Sequence, residues 1–154
     1  MKLAIVHDYL IQYGGAERVV EVLHGLFPAA PIFTSVYHPA AFPEAFRRMD
    51  IRPSFLQRVA VRPREMQRWL LPLYPLAFQR MDLRDFDVVL SSASAFAKGV
   101  RPRPPGRHIC YCYAPTRFLW QHEAYATQEG LGPLARASMR ILVPWLRRWD
   151  LAAA

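Results

Sequence analysis

The first eighteen residues most constrain the fold, because an apolar run, two adjacent glycines and an amphipathic segment follow one another directly. Residues 3–6 predict a buried strand, and the segment from Ala16 predicts a helix. Gly14 and Gly15 have no Cβ, so the backbone can take a positive φ and approach a ligand closely. The free amides of a helix start suit an anion. Two interpretations stay open: an anion-binding turn, and a tight turn without a ligand.

Similar apolar runs and helical patterns alternate along the rest of the chain. The predicted strands are 2–7, 32–36, a short one from Ile51, 87–90 and 108–112, and the predicted helical segments are 16–27, a kinked pair over 64–81 and the C-terminal region. Strands that alternate with helices are typical of a parallel sheet covered on both faces. We therefore expect an α/β protein, a single Rossmann-like domain with a mainly parallel sheet that spans residues 1–150.

Periodicity also predicts which helix faces are buried. The first helix is expected to bury Val19, Val22, Leu23 and Leu26, and the C-terminal helix Leu134, Ser138, Ile141, Leu142, Trp145 and Trp149, with a kink at Pro144. Ser54 is a predicted N-cap for residues 55–59. The C-terminal helix has no capping glycine or asparagine, so we expect either a truncated chain or a helix that frays at a natural terminus.

Composition excludes several classes of protein. A chain of 154 residues with 53% hydrophobic residues is not intrinsically disordered. Its apolar runs are too short for a membrane span, and the N-terminal one is too short for a signal peptide, so we expect a cytoplasmic protein. Two cysteines cannot form a four-cysteine zinc site, and His24, His38 and His122 lack metal-ligand spacing, so we expect no metal.

The net charge of +8 is concentrated in one segment. Residues 44–80 contain eight arginines and three carboxylates, interleaved with aromatic and leucine side chains over 52–80. This pattern fits a solvated face over an ordinary core, or peripheral contact of 52–80 with an anionic membrane. The positive charge would also suit a nucleic-acid partner. However, no recognised nucleic-acid-binding motif accompanies the charge, so we expect no nucleic-acid partner.

Five blocks in this order resemble the N-terminal domain of the retaining family 4 glycosyltransferases, which have the GT-B fold. They are His7–Leu10 with Gly14–Arg18, Arg52–Gln57, Leu70–Pro75, Ser91–Ser92 with Ala95–Val100, and His108–Trp120. The resemblance covers nearly the whole chain. It implies transfer of a hexosyl group from a nucleotide-sugar donor, UDP- or GDP-linked, to a glycan or lipid-linked acceptor.

The resemblance also divides the labour between two domains. It implies that this domain holds the acceptor, that its glycine turn reaches the donor diphosphate, and that no cofactor is needed. The C-terminal nucleotide-sugar-binding domain is absent from this sequence. A single half of the cleft cannot enclose the reacting centre, so we expect the chain to be inactive alone. The implied setting is cell-envelope or exopolysaccharide assembly at the inner membrane face.

The resemblance assigns the candidate site residues. Donor-phosphate or substrate binding falls to Gly14, Gly15, Glu17 and Arg18; the acceptor side comprises His7, Asp8, Lys98, Arg117 and Trp120; and Tyr113 stands at the catalytic position where the family has histidine. Each has a structural alternative, such as helix stabilisation for Glu17, turn capping for Asp8 and core packing for Trp120.

The chain departs from the family pattern at four positions. Besides Tyr113, it has Ala114 for threonine, Gln121 for aspartate and Ser94 where histidine is usual. Tyrosine, with a pKa near 10, does not titrate at neutral pH as histidine does. These departures favour a second interpretation, a degenerate non-catalytic module that binds a partner protein or a membrane surface.

Overall fold

The described residues form a five-stranded, all-parallel sheet. The computed structural model describes residues 1–59, 70–121, 124 and 132–154. The strands are β1 (Leu3–His7), β2 (Ile32–Thr34), β3 (Ile51–Pro53), β4 (Val88–Ala93) and β5 (Arg107–Cys112), in the order β3-β2-β1-β4-β5. The α-helices are α1 (Gly15–Leu26), α2 (Tyr74–Gln79), α3 (Arg117–Trp120) and α4 (Pro133–Ala153). This confirms the predicted α/β, Rossmann-like fold.

Strand β1 lies at the centre of the sheet. Ile5 pairs with Ile32 on one side and with Leu90 on the other. Successive side chains of a strand point to opposite faces, so Ala4 and Val6 enter one core cluster while Ile5 enters the second. All three are fully buried. The predicted buried strand is therefore confirmed, with hydrophobic layers on both of its faces.

Helix α1 is present, and the prediction of its buried face was wrong at Val22 and Leu26. Val19 and Leu23 are half-buried, and Leu23 packs against the second core cluster. Val22 and Leu26 are 63% and 67% exposed, whereas Glu17 and Val20 are buried. The Glu17 carboxylate accepts the Gly14 N–H and lies beside His7. This polar anchor turns the Glu17–Val20 side toward the sheet. Hydrophobic periodicity could not reveal it, because that analysis assigns a charged residue to the solvent side.

The buried stripe of α4 also differs from the predicted one. Met139, Val143 and Leu146 are buried, whereas Ile141 and Trp145 are 78% and 48% exposed. Ser138 is half-buried, Leu142 and Trp149 pack against the core in part, and the Leu134 side chain lies outside the described residues. The reason is again a buried charge, since Asp150 continues the Met139–Leu146 stripe. The helix runs through Pro144.

The described residues between β2 and β4 form short elements. Three 3₁₀ turns surround β3, at Pro39–Ala41, Glu44–Arg48 and Phe55–Arg58. The predicted N-cap is confirmed, because Ser54 Oγ accepts the Leu56 N–H. The 3₁₀ turn Leu71–Leu73 leads into α2, and the rest of the predicted kinked pair, residues 64–69, lies outside the described residues.

The loop after β4 is packed between two helices. The Phe96 ring stacks on Tyr74 of α2 at 4.9 Å between centroids and lies 5.4 Å from the Trp149 ring of α4. Gly99, at the end of the 3₁₀ turn Ala97–Gly99, lies under the same indole. Within the described residues, no helix combines the length and apolar character that crossing a membrane requires.

We expect Gly99→Ala to destabilise the fold by about 2 kcal/mol, because a Cβ at this position would lie 2.3 Å from Cζ2 of Trp149 and force the indole out of its packing. Gly25→Ala is the matched control. A Cβ at that helical position meets nothing within 4 Å, so alanine should add up to about 1 kcal/mol. Urea unfolding of both variants measures the difference, and equal stabilities would contradict the packing argument.

Candidate functional site

The candidate site lies at the carboxyl ends of β1, β4 and β5, which meet at one edge of the parallel sheet. An open cavity of about 480 Å³ is found beyond β4 and β5. Its lining residues are Tyr9, Ser94, Ala95, Tyr113, Ala114, Pro115, Arg117, Phe118, Gln121 and Ala124. This is the edge at which open α/β sheets bind ligands. The predicted site residues Tyr113 and Arg117 are brought together here, beside Ser94.

The glycine turn (Gly14–Gly15) connects the loop after β1 to α1. Gly14 is the extended N-cap residue, with φ −128° and ψ −155°. Neither glycine takes the positive φ that the sequence permits at these positions. The helix begins directly from an extended residue and needs no such conformation. Gly15 is exposed, with open space where a Cβ would stand, so a ligand can approach its backbone.

Glu17 already caps the start of α1. Its Oε2 accepts the Gly14 N–H at 2.8 Å, the second half of a capping box. Burial raises the pKa of Glu17, but contacts with His7 and with backbone N–H groups lower it by more than burial raises it. The pKa of Glu17 therefore lies below its usual range. Glu17 is therefore a carboxylate, and one amide of the glycine turn is engaged by it.

Arg18 lies on the exposed side of α1. Its guanidinium carbon is 5.6 Å from the centroid of the Tyr13 ring, within the range of a cation–π contact. The structure thus places Arg18 beside the glycine turn and at the surface. It remains a predicted phosphate contact.

Asp8 holds the loop that follows β4. Its two carboxylate oxygens accept four consecutive backbone N–H groups, at distances of 2.6–2.8 Å. The donors are Ser94, Ala95, Phe96 and Ala97. Asp8 is buried, and such charge-assisted bonds to a carboxylate are strong. The Asp8 carboxylate thus holds Ser94 and Ala95, two residues of the cavity lining, in place. It does not cap its own turn.

A buried hydrogen-bond network connects β1, β4, β5 and α1. It consists of His7, Glu17, Ser92 and Tyr113. His7 Nδ1 lies 2.9 Å from the Ser92 carbonyl oxygen and 3.0 Å from Ser92 Oγ, which is itself 2.7 Å from the Tyr113 hydroxyl. The Tyr113 hydroxyl also donates to the Ala16 carbonyl at 3.2 Å. Burial raises the pKa of Tyr113, and the hydrogen bond with Ser92 offsets part of this rise.

Lys98 and Trp120 belong to a second polar cluster, which docks α4. Lys98 Nζ lies 2.7 Å from Asp150 Oδ1, Thr116 Oγ1 donates to the same oxygen at 2.7 Å, and Trp120 Nε1 donates to Asp150 Oδ2 at 2.9 Å. Arg147 stacks over the Trp120 ring at 5.3 Å. Two predicted acceptor-side residues thus hold a helix in place, and neither lines the cavity.

Arg117 is the cation of the cavity wall. Its side chain is exposed, and within the described part of the chain no carboxylate forms an ion pair with it. Three arginines elsewhere on the surface, Arg48, Arg52 and Arg84, each pair with a nearby carboxylate. Among the described residues, neither an ion-pair partner of this guanidinium nor a carboxylate in the cavity lining is found, and such a guanidinium is suited to an anionic ligand group.

Sequence reasoning missed several residues of these clusters. Ser92 was noticed only as half of a serine pair, and Thr116 and Asp150 were not singled out. Asp150 did carry a signal, because it falls four residues after Leu146 on the buried stripe of α4. A carboxylate at such a position requires a buried cation or donors as partners.

The described residues contain no group of three or more histidine, cysteine or acidic side chains that could hold a metal ion. Comparison with protein-family models, with curated proteins and with solved structures gives no match to this chain. The fold assignment therefore depends on the strand order and direction alone, and the function has to be argued from the site.

We expect Asp8→Asn to destabilise the protein by about 3 kcal/mol, because an amide nitrogen replaces an oxygen that accepts two buried N–H groups. Asp85→Asn, at an exposed position, is the control and should change stability by less than about 0.5 kcal/mol. Urea unfolding measures both. Equal effects of the two substitutions would contradict the role assigned to Asp8.

Proposed function

We propose that this chain is the acceptor-side domain of a retaining glycosyltransferase of the family 4 type, which works with a nucleotide-sugar-binding domain supplied by further polypeptide. The observation that carries the proposal is the cavity at the carboxyl ends of β4 and β5, with Tyr113, Arg117 and Ser94 in its wall. The resemblance assigns Tyr113 to the catalytic position and Arg117 to the acceptor side, and Ser94 stands where the family usually has histidine.

The two parts of the site suit the two substrates. The glycine turn is open at Gly15 and has Arg18 nearby, which favours a donor diphosphate there. The described cavity lining combines apolar and aromatic side chains with the polar Ser94 and Gln121 and the Arg117 cation. Such a lining suits an acceptor with an apolar part and an anionic group, as in a lipid-linked glycan carrier.

The proposal gives different weight to the candidate residues. Arg117, Tyr113 and the glycine turn are expected to contact substrates. Lys98 and Trp120 are already engaged with Asp150, and Asp8 with four backbone amides, so these three are expected to support the site from behind. His7 and Glu17 are buried behind Tyr113.

The test is a transfer assay with the chain alone and with the polypeptide encoded downstream, using UDP- and GDP-sugars and a short-chain lipid phosphate acceptor. We expect turnover only when the second domain is present. Arg117→Gln should then raise KM for the acceptor about tenfold, as loss of a charged hydrogen bond predicts.

Arg84→Gln is the control for that variant. Arg84 precedes β4 and lies at the opposite edge of the sheet, where it pairs with Asp82. An equal effect of both arginine substitutions would contradict acceptor binding at Arg117. Absence of transfer with a folded chain and both domains present would contradict the enzyme proposal as a whole.

A non-catalytic binding module is the second candidate, and the exposure of β5, the outermost strand of the sheet, favours it. On β5, Ile109 and Tyr111 are each 55% exposed, although parallel strands are normally covered on both faces. Phe55, Leu73 and Leu76 are also exposed, within the basic and aromatic segment 52–80. Of that segment, residues 60–69 lie outside the described residues.

If the segment 52–80 meets a membrane, the full chain should sediment with phosphatidylglycerol vesicles at low salt and be released at high salt, because exposed charge attraction is screened. The double variant Arg58→Gln/Arg80→Gln should weaken this binding, since both side chains are exposed. Phosphatidylcholine vesicles are the control. Equal sedimentation with both lipids, or none with either, would exclude electrostatic membrane contact.

A further inference from the structure

We propose that His7 and Ser92 are positioning residues that fix the direction of the Tyr113 hydroxyl, so that Tyr113 meets a ligand hydroxyl as a hydrogen-bond acceptor. The inference rests on the proposed function only in taking Tyr113 as a ligand contact. The orientation itself follows from the buried hydrogen-bond network.

The backbone carbonyls at the two ends of the network determine the positions of the protons on His7 Nδ1 and on the Tyr113 hydroxyl. A backbone carbonyl can only accept a hydrogen bond, so His7 Nδ1, 2.9 Å from the Ser92 carbonyl oxygen, must carry a proton. For the same reason the Tyr113 hydroxyl donates its proton to the Ala16 carbonyl, 3.2 Å away. The single Nδ1 proton of His7 therefore lies between the carbonyl oxygen and the Oγ of Ser92, and the Tyr113 proton is directed to Ala16.

The remaining proton belongs to Ser92. Its Oγ lies 3.0 Å from His7 Nδ1 and 2.7 Å from the Tyr113 oxygen. Because His7 Nδ1–H is shared between the carbonyl oxygen and the Oγ of Ser92, and the Tyr113 proton is directed to Ala16, Ser92 Oγ accepts from His7 and donates its own proton to Tyr113. The hydrogen bonds therefore run in one direction, from His7 through Ser92 and Tyr113 to Ala16.

Burial makes this arrangement a fixed one. Ser92 and His7 are almost fully buried, so water does not substitute for either partner. On its far side the His7 ring faces Glu17, with Nε2 3.6 Å from Oε1. Glu17 is itself held by the Gly14 N–H. The imidazole thus bonds to Ser92 through Nδ1 and faces Glu17 with Nε2, so that the glycine turn, Glu17, His7, Ser92 and Tyr113 are neighbours in sequence of contact.

The consequence concerns what Tyr113 offers to a ligand. Its proton is directed to Ala16 and one lone pair accepts from Ser92, which leaves the second lone pair of the phenol oxygen. A sugar hydroxyl that reaches this oxygen donates its proton to it. A histidine at the same position could present a donor, so the substitution changes the polarity of this contact.

The experiment is NMR of the full chain with ¹³Cζ-labelled tyrosine, assigned through Tyr113→Phe. We expect Ser92→Ala to shift the Tyr113 ¹³Cζ resonance and to raise the pKa of its phenol, because the hydrogen bond from Ser92 lowers that pKa. His7→Gln should shift the same resonance through Ser92. An unchanged Tyr113 resonance in Ser92→Ala would overturn the proposal.

Ser91→Ala is the matched control. Ser91 is the neighbouring residue of β4, is equally buried, and its Oγ lies 2.8 Å from His108 Nε2 instead of Tyr113. It should leave the Tyr113 resonance unchanged, and a shift equal to that of Ser92→Ala would overturn the proposal. If Ser92→Ala does not fold, the reciprocal measurement decides: Tyr113→Phe must shift the ¹⁵N resonances of the His7 ring, and unchanged resonances would overturn it.

Turnover with the second domain separates this inference from the proposed function. Ser92→Ala should lower kcat about tenfold while KM for the acceptor stays unchanged, since Ser92 itself touches no ligand. A shifted Tyr113 resonance with wild-type kcat would overturn the ligand-contact part. If the unaltered chain together with the second domain shows no transfer, this result counts against the proposed function alone. The NMR measurement decides the orientation of the Tyr113 hydroxyl independently.

Discussion

The structure depends on the Asp8 carboxylate more than on any other group. By accepting four consecutive amides of the loop after β4, it connects the end of β1 to that loop across the sheet. The same loop carries Phe96 and Lys98, through which α2 and α4 are packed and paired. The cavity wall, the aromatic contacts of Phe96 and the ion pair that attaches α4 therefore all involve residues of one loop, and the buried Asp8 carboxylate fixes the conformation of that loop.

The general fold was predictable because apolar runs and turns are local signals. The sequence indicated all five strands, and the Ser54 cap could be predicted from its position before a short helical segment. The rotation of α1 and α4 about their axes could not be predicted in this way. Each rotation is fixed by a buried carboxylate: Glu17, which meets His7 and the Gly14 amide, and Asp150, whose partner Lys98 lies far away in the sequence. Hydrophobic periodicity assigns neither carboxylate to a buried face.

The same distinction applies to the candidate site. Tyr113 and Arg117 follow a strand end, so a parallel sheet places them at the ligand-binding edge, and sequence reasoning identified them. Ser92 was not identified, because its role appears only when His7, 85 residues away, and Tyr113 are brought to it. Residues that act through contacts between strands carry no local pattern.

The capping box at the start of α1 has a consequence for anion recognition. Glu17 occupies the Gly14 amide as a resident anion. A phosphate that bound to this amide would have to exchange with the carboxylate, and the displaced Glu17 would have to move away from both phosphate and amide. The affinity of the Gly14 amide for a phosphate would therefore be set by the difference between two anions that compete for one donor.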